Sequence, residues 1–292
     1  MRVLVTGATG FTGSYVVPLL LQQGAHVRCL VRATSDTSRL PVDQVELAVG
    51  DLSDQSSLRR ALRGTDALVN IASLGFGHAP NIVNATVAAG VQRAIFISTT
   101  AIFTTLDASS KSVRLAAEQS IAASGLRYTI LRPTMIYGSS RDRNVCRLIR
   151  HLQRWPVIPV FGRGEHLQQP VYVEDLAAAV VQSLQTEKAI GRSYNVAGAE
   201  PLTYNRIIDT ICEALGRRVR KVHLPVAPLV TALGALERFP VRLPIKAEQI
   251  LRLNEDKAFD SHEAIEDFGY RPRPFAEGIS LELREMGITK HT

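Results

Sequence analysis

Short apolar runs alternate with stretches of helical spacing through the first half of the chain. Runs at Arg2–Thr6, Val27–Val31, Val45–Val49, Ala67–Ile71, Ala94–Ser98 and Tyr128–Leu131 predict strands. Between them Phe11–Gln23, Ser53–Leu62, Asn81–Ala89 and Ser112–Ser124 predict helices. These strands are apolar almost throughout, which suits a parallel sheet covered by helices on both faces. Six strands joined by right-handed crossovers predict a doubly wound α/β sheet, whose ligand crevice lies at the carboxyl ends of the strands. Pro18 falls inside the first helix and is expected to weaken or kink it.

After Arg132 the texture changes. Proline becomes frequent (Pro156, Pro159, Pro170, Pro201, Pro225, Pro228, Pro240, Pro244), with strands predicted at Gln169–Val173 and Ser193–Val196 and helices at Val173–Gln185 and Tyr204–Leu215. This half is expected to form a smaller lobe on the sheet, with domains at 1–165 and 166–292 and some elements interleaved. The stretch Leu224–Ile245, LPVAPLVTALGALERFPVRLPI, is apolar with few charges. It is expected to be a core helix of the second lobe. A lid over an apolar substrate, a membrane-surface helix, or a contact to a second copy or a protein partner are the other readings.

Composition narrows the class. Of 292 residues, 46% are hydrophobic and 21% charged, which supplies a packed core and leaves no disorder signature. No apolar run nears the roughly 18 residues of a membrane span, and Gly7 and Gly10 interrupt what would be a signal peptide, so the expected location is cytoplasmic. Both termini lack extensions that would suggest a tail-mediated partner. Cys29, Cys146 and Cys212 have no CxxC spacing and the seven histidines are dispersed, so neither a disulfide framework nor a metal site is expected. The GxSxG elbow of a serine hydrolase is absent. The net charge of +7 comes from scattered residues apart from Arg217–Lys221, read as a solvated patch. Such an excess can mean nucleic acid or membrane lipid and equally a basic groove for a phosphorylated cofactor; no nucleic-acid partner is expected.

The strongest local signal is VTGATGFTG, residues 5–13, between a strand and a helix. Gly7 permits the tight turn, Gly10 lets backbone approach a pyrophosphate, and Gly13 lets the helix pack on the strand. The helix N-terminus then offers N–H groups and partial positive charge to phosphates, with Thr9, Phe11 and Thr12 lining the loop. The position that carries an acid in NAD-binding folds is occupied by Val31 and then Arg32. An arginine there can hold a 2′-phosphate, so NADP(H) is the expected cofactor, with NAD(H) as the alternative.

TGATGFTG resembles the glycine loop of the short-chain dehydrogenase/reductase superfamily, in its extended and atypical branches. GDLSD (50–54), FISTTAIF (96–103), LRPTMIYG (131–138), QPVYVEDLA (169–177), YNVAG (194–198) and FGYRPRPFAEGI (268–279) extend the resemblance over nearly the whole chain. The pattern is similar to the group holding the respiratory complex I accessory subunit and bacterial epimerase/dehydratase-like proteins. The resemblance implies a Rossmann-type sheet with a smaller C-terminal substrate lobe. It places Asp51 and Leu52 at the adenine side, Ala72 and Ser73 by the ribose, and Ser98 and Pro133 along the cofactor. It makes Thr100 the catalytic hydroxyl.

The superfamily's Tyr-x-x-x-Lys pair is absent, because no tyrosine is followed by lysine at the fourth position. Aligned on the helix RLAAEQ (114–119), the tyrosine falls at Ser110 and the lysine at Arg114. Arginine can bind the ribose but is a poor proton donor. Lys111, Tyr137 and Thr100 itself are the candidate substitutes, with protonation by another group or by water also open. Gln168 stands where enzymes of nucleotide sugars carry an arginine, which argues against such substrates unless Arg163 or Arg141 compensates. Asn144 resembles a pocket asparagine of the extended group, and Asp175 is expected to cap the helix after it. Three functions follow: an NADP(H)-dependent oxidoreductase on a small, apolar carbonyl or activated double bond; a non-catalytic nucleotide-binding sensor or assembly factor; and an isomerase or lyase.

Overall fold

In chain order the elements begin β1 (Arg2–Thr6), α1 (Gly13–Gln22), β2 (His26–Val31), β3 (Glu46–Val49), α2 (Gln55–Leu62), β4 (Ala67–Asn70), α3 (Ala79–Ala88), β5 (Arg93–Ile97), α4 (Ser109–Ala122) and β6 (Tyr128–Pro133). There follow β7 (Ile136–Tyr137), α5 (Val145–Arg154), β8 (Val157–Phe161), β9 (Leu167–Gln168), β10 (Val171–Tyr172), α6 (Val173–Gln185), β11 (Arg192–Val196) and β12 (Leu202–Thr203). The last are α7 (Tyr204–Leu215), β13 (Arg220–Leu224), α8 (Val226–Leu236), α9 (Ala247–Leu253), α10 (His262–Phe268) and α11 (Phe275–Glu285). The structure is a computed structural model and describes residues 1–106, 109–237 and 247–288.

Two compact units emerge. Unit one takes Met1–Thr134, Val173–Val196 and Asp260–Arg271; unit two takes Met135–Tyr172, Ala197–Phe259 and Pro272–Thr292.

Unit one holds a parallel sheet in the order β11-β6-β5-β4-β1-β2-β3. The direction reverses beside β1, which puts the switch point at the glycine loop. The sequence predicts six strands, and the sheet has seven. The run read as a strand of the second lobe, Ser193–Val196, is β11, which pairs with β6 in the register Tyr194↔Leu131. The α6 crossover returns the chain to that edge, where Tyr194 and Val196 become buried. Side chains such as Leu58, Leu62, Leu68, Ile82, Phe96 and Ile121 fill one layer, each contributing roughly 1.5–3 kcal/mol on burial. The edge strand β3 departs from the continuous pattern, with Leu47 and Val49 exposed. Helix α1 runs unbroken through Pro18.

Unit two pairs β8 with β13 and β7 with β10 in parallel, and β9 with β12 in antiparallel fashion. Its core gathers Tyr137, Ile149, Leu152, Val160, Ile208, Ile211 and Ile279. Of the strand predicted at Gln169–Val173 only Val171–Tyr172 forms, as β10: Pro170 lacks a donor, β9 ends before it at Gln168, and Val173 opens α6. The apolar stretch from Leu224 forms α8, but residues 226–234 include no fully buried position, so it is not the expected core helix. Residues 238–246 of that stretch lie outside the described residues. Among the described residues no helix is long and apolar enough to cross a membrane.

Candidate functional site

The loop after β1 is shaped by what its glycines exclude. Gly7 sits at φ +71°, in the left-handed region, and a Cβ on it would lie 2.7 Å from the Ala72 backbone nitrogen. Ala72 is held there by a buried relay: Thr6 Oγ1 donates to Asn70 Oδ1 (2.7 Å), and Asn70 Nδ2 donates to the Ala72 carbonyl (3.0 Å). Asn70 is fully buried and was invisible to periodicity; its one signal is a polar residue closing the apolar run ALVN. The Gly10 N–H donates to the Gly7 carbonyl at 3.0 Å. A Cβ on Gly13 would overlap the Gly7 carbonyl oxygen and reach within 2.5 Å of that of Ala8.

These contacts leave a turn of bare backbone leading into α1. Thr12 is its cap residue and makes no side-chain cap bond, and no acidic side chain occupies its first turn. Phe11 stands edge-on to Tyr15, ring centroids 5.9 Å apart, and Thr9 is half-buried. A cradle that a Cβ would fill, next to an uncompensated helix start, fits the diphosphate of a dinucleotide.

At the carboxyl end of β2 the Arg32 side chain is exposed. Asp51 follows β3 and accepts from Ser53 N (2.8 Å) and Ser53 Oγ (2.6 Å). Those bonds lower its pKa, with further help from the charges of His78 and Arg32. Leu52 is half-buried and its carbonyl accepts from Asn81 Nδ2 at 3.2 Å. Arg32 and Asp51 thus share one corner, where the carboxylate is already engaged by its own turn and the guanidinium faces solvent.

Next to β4, the strand exits carry hydroxyls. Ser73 accepts from Gly75 N at 3.2 Å. Ser98, directly after β5, is 9% exposed and its Oγ has no hydrogen-bond partner among the described residues. Thr100 is buried, with Oγ1 donating to the Pro133 carbonyl at the end of β6 (3.3 Å). On α4, Arg114 Nη1 donates to Ser110 Oγ (2.7 Å), and its guanidinium packs against Gly75, where a Cβ would approach within 3.1 Å. The positions matching the missing Tyr and Lys therefore touch each other and form a fixed cation beside the β4 exit. Lys111 points elsewhere, with Nζ donating to the Thr104 carbonyl at 2.5 Å. A residue that sequence reasoning overlooked, Glu118, is 8% exposed and holds Arg132 at 2.6 Å. Arg132 in turn lies over the Phe103 ring, 5.4 Å from its centroid.

The other candidates fall elsewhere. Tyr137, in unit two, is 1% exposed; its ring packs on Tyr172 and Phe275, its hydroxyl donates to the Phe275 carbonyl (3.4 Å), and a Cβ on Gly278 would collide with that hydroxyl. Gln168 is buried and its Nε2 donates to the Glu255 carbonyl at 3.3 Å. Asn144 is exposed at the start of α5 and makes no side-chain cap bond. Asp175 is not the cap residue: it lies inside the first turn of α6, buried. Burial and then the Asp175 charge push the Tyr270 hydroxyl upward.

The sequence matches the NAD(P)H-binding family over residues 7–187. It is 30% identical to a ceramide reductase of Caulobacter vibrioides, covering 80% of this chain and 76% of that protein. It is 25% identical to subunit 9 of the NADH dehydrogenase [ubiquinone] 1 alpha subcomplex from Arabidopsis thaliana mitochondria, covering 90% of this chain and 70% of that protein. In fold it is similar to the Thermus thermophilus UDP-glucose 4-epimerase solved with NAD, at 23% identity and a TM-score of 0.76, covering 98% and 99% of the two chains. With the glycine cradle at the switch point of its sheet, this chain belongs to the NAD(P)H-binding family.

Proposed function

We propose that the chain is an NADP(H)-dependent oxidoreductase acting on a small, apolar carbonyl or activated double bond without a tyrosine acid. The observation that carries this reading is Ser98: a buried hydroxyl with no partner among the described residues, at the carboxyl end of a strand two places from the glycine loop. A buried hydroxyl left without a protein partner is unfavourable by about 1–3 kcal/mol, and a ligand oxygen would relieve that.

In this reading Gly7, Gly10 and Gly13 with Thr9, Phe11 and Thr12 hold the diphosphate, and Arg32 holds the 2′-phosphate. Asp51 and Leu52 border the adenine, Ala72 and Arg114 the nicotinamide ribose, and Pro133 closes the far side. A nicotinamide held there would supply hydride-transfer chemistry for the substrate carbon. Ser98 Oγ donates a hydrogen bond to the substrate oxygen as negative charge develops there. Thr100, anchored on Pro133, keeps that hydroxyl at the strand end. Neither alcohol is an acid near neutral pH, so the proton is taken from water. Lys111 and Tyr137 are assigned positioning and packing roles, because their polar atoms are engaged at Thr104 and Phe275. An apolar substrate is supported by Gln168, engaged at Glu255 where a diphosphate-binding arginine would be needed, and by the ceramide reductase relative.

A second reading, a nucleotide-binding subunit without turnover, is favoured by the Ser110–Arg114 pair, which fixes a cation but supplies no acid. NADPH oxidation over a panel of apolar ketones, aldehydes and enones separates the two. Turnover that falls about 10–100-fold in Ser98→Ala with unchanged NADPH affinity is expected. Tight NADPH binding with no turnover on any member of the panel favours the second reading. An isomerase or lyase would convert substrate with no net change in NADPH absorbance.

A further inference from the structure

Charge is divided unevenly between the two units. Unit one carries 15 basic and 15 acidic side chains, whereas unit two carries 19 and 12, so the whole excess of +7 belongs to unit two. The unit that holds the nucleotide cradle is neutral overall, and a basic cofactor groove does not account for the excess.

Within unit two Arg143 and Arg147, by the start of α5, are exposed and unpaired among the described residues, and four further arginines gather at one edge. Lys221 is bound to Asp209 and Arg206 to Glu213. Arg154, Arg217, Arg218 and Arg220 are exposed and have no side-chain ion pair or hydrogen bond among the described residues. They lie together, because the Arg220 N–H donates to the Pro156 carbonyl at 2.8 Å and β13 runs beside β8 with Arg220 opposite Val157. Apolar side chains are interleaved with them on the exposed face: Trp155 is 55% exposed, Val157 41% and Val222 38%. Beyond Pro225 the chain enters α8, VAPLVTALGAL, which has no charged residue and no fully buried position over residues 226–234.

We propose that this edge of unit two docks on the surface of an anionic lipid bilayer. Unpaired arginines are complementary to phosphate headgroups, and their stems can lie along apolar surface while the guanidinium stays in water. Tryptophan and aliphatic side chains enter the boundary between headgroups and acyl chains, and an uncharged half-exposed helix gains from the same burial. Nucleic acid would meet the arginines but leave Val157, Val222 and α8 with nothing to bury them. An acidic protein would have to be apolar and anionic on one face. This inference stands apart from the reaction assigned to unit one.

Trp155 is the single tryptophan of the chain, so its emission reports on this patch alone. The full chain is titrated with vesicles of phosphatidylcholine and with vesicles that also contain phosphatidylglycerol. A blue shift confined to the anionic vesicles and reversed by salt is expected. Arg217→Glu combined with Arg218→Glu should weaken vesicle affinity by roughly thirtyfold or more, while the thermal midpoint and NADPH binding stay as in the parent chain. Unchanged emission with anionic vesicles, an equal shift with both vesicle types, or wild-type affinity in the double variant would each overturn the proposal. So would a shift produced by duplex DNA and not by vesicles, which would make the patch a nucleic-acid surface.

Discussion

A Cβ on Gly13 has nowhere to go: backbone oxygens of Gly7 and Ala8 already occupy the space, and backbone cannot swing aside as a side chain can. Gly13→Ala is therefore expected to destabilise the fold by about 1–3 kcal/mol and to weaken NADPH binding, read by thermal unfolding and by nucleotide fluorescence. Retention of both would mean that the loop relaxes freely and is not a preformed cradle. A second residue-scale effect lies in unit two. Glu282 is fully buried beside Asp142, and burial, followed by the neighbouring Asp142 carboxyl, pushes its own carboxyl up to about 10, far above the ordinary carboxylate range. A carboxyl whose pKa is raised on folding binds a proton that the unfolded chain has lost. Its contribution to stability is complete below the unfolded pKa and declines as pH rises toward the folded one, with a slope near 1.4 kcal/mol per pH unit at most. Glu282→Gln keeps the neutral shape and removes that slope. Denaturant midpoints for this variant should match the parent chain at mildly acid pH and exceed it in alkali; identical profiles for the two proteins would place the carboxylate in a solvated site.

At the scale of elements, α4 is clamped to β6 by Glu118 and Arg132, a pair 8% and 21% exposed. Removing one partner leaves the other buried and uncompensated, so Arg132→Met should destabilise by about 3–5 kcal/mol, whereas Glu118→Leu with Arg132→Met should recover most of it. Urea unfolding of the three variants decides this, and an additive double variant would show that the pair is not coupled. Helix α2 offers a smaller effect: Asp54 caps it by accepting from Ser56 N at 2.9 Å, and Asp54→Ala should cost about 1 kcal/mol. Elements were the most legible level of the sequence. The bounds expected for β1, α6 and α7 coincide with those found, because each is a strongly periodic run between clear breakers. Apolar pattern could not tell that β11 joins the main sheet, since a short run with one tyrosine and one valine looks alike in either lobe. Nor could it foresee that α8 stays unburied, because hydrophobicity alone does not specify a partner surface.

For the whole molecule, the family motifs foretold the doubly wound sheet and its glycine cradle, while the catalytic residues were legible only as a gap. The reason is physical: a phosphate cradle is made of local backbone, whose glycine spacing is written in order, whereas a proton path is made of side chains brought together from separate strands. Asn70, Glu118 and the Asp142–Glu282 pair are of that second kind. The concentration of charge in unit two was present in the sequence but became visible only when the structure divided the chain. The neutrality of unit one also sharpens the cofactor argument, since any selectivity for a 2′-phosphate must come from Arg32 locally and not from the general field.

Parallel titration of the chain and of Arg32→Glu with NADPH and NADH, followed by nucleotide fluorescence, tests that argument directly. Removing a charge-assisted pair and placing a carboxylate against the phosphate should weaken NADPH by at least about tenfold, corresponding to about 1.5–3 kcal/mol, and leave NADH unchanged or tighter. Tighter binding of NADH by the parent chain, or equal loss of both nucleotides in the variant, would contradict NADP(H) as the cofactor.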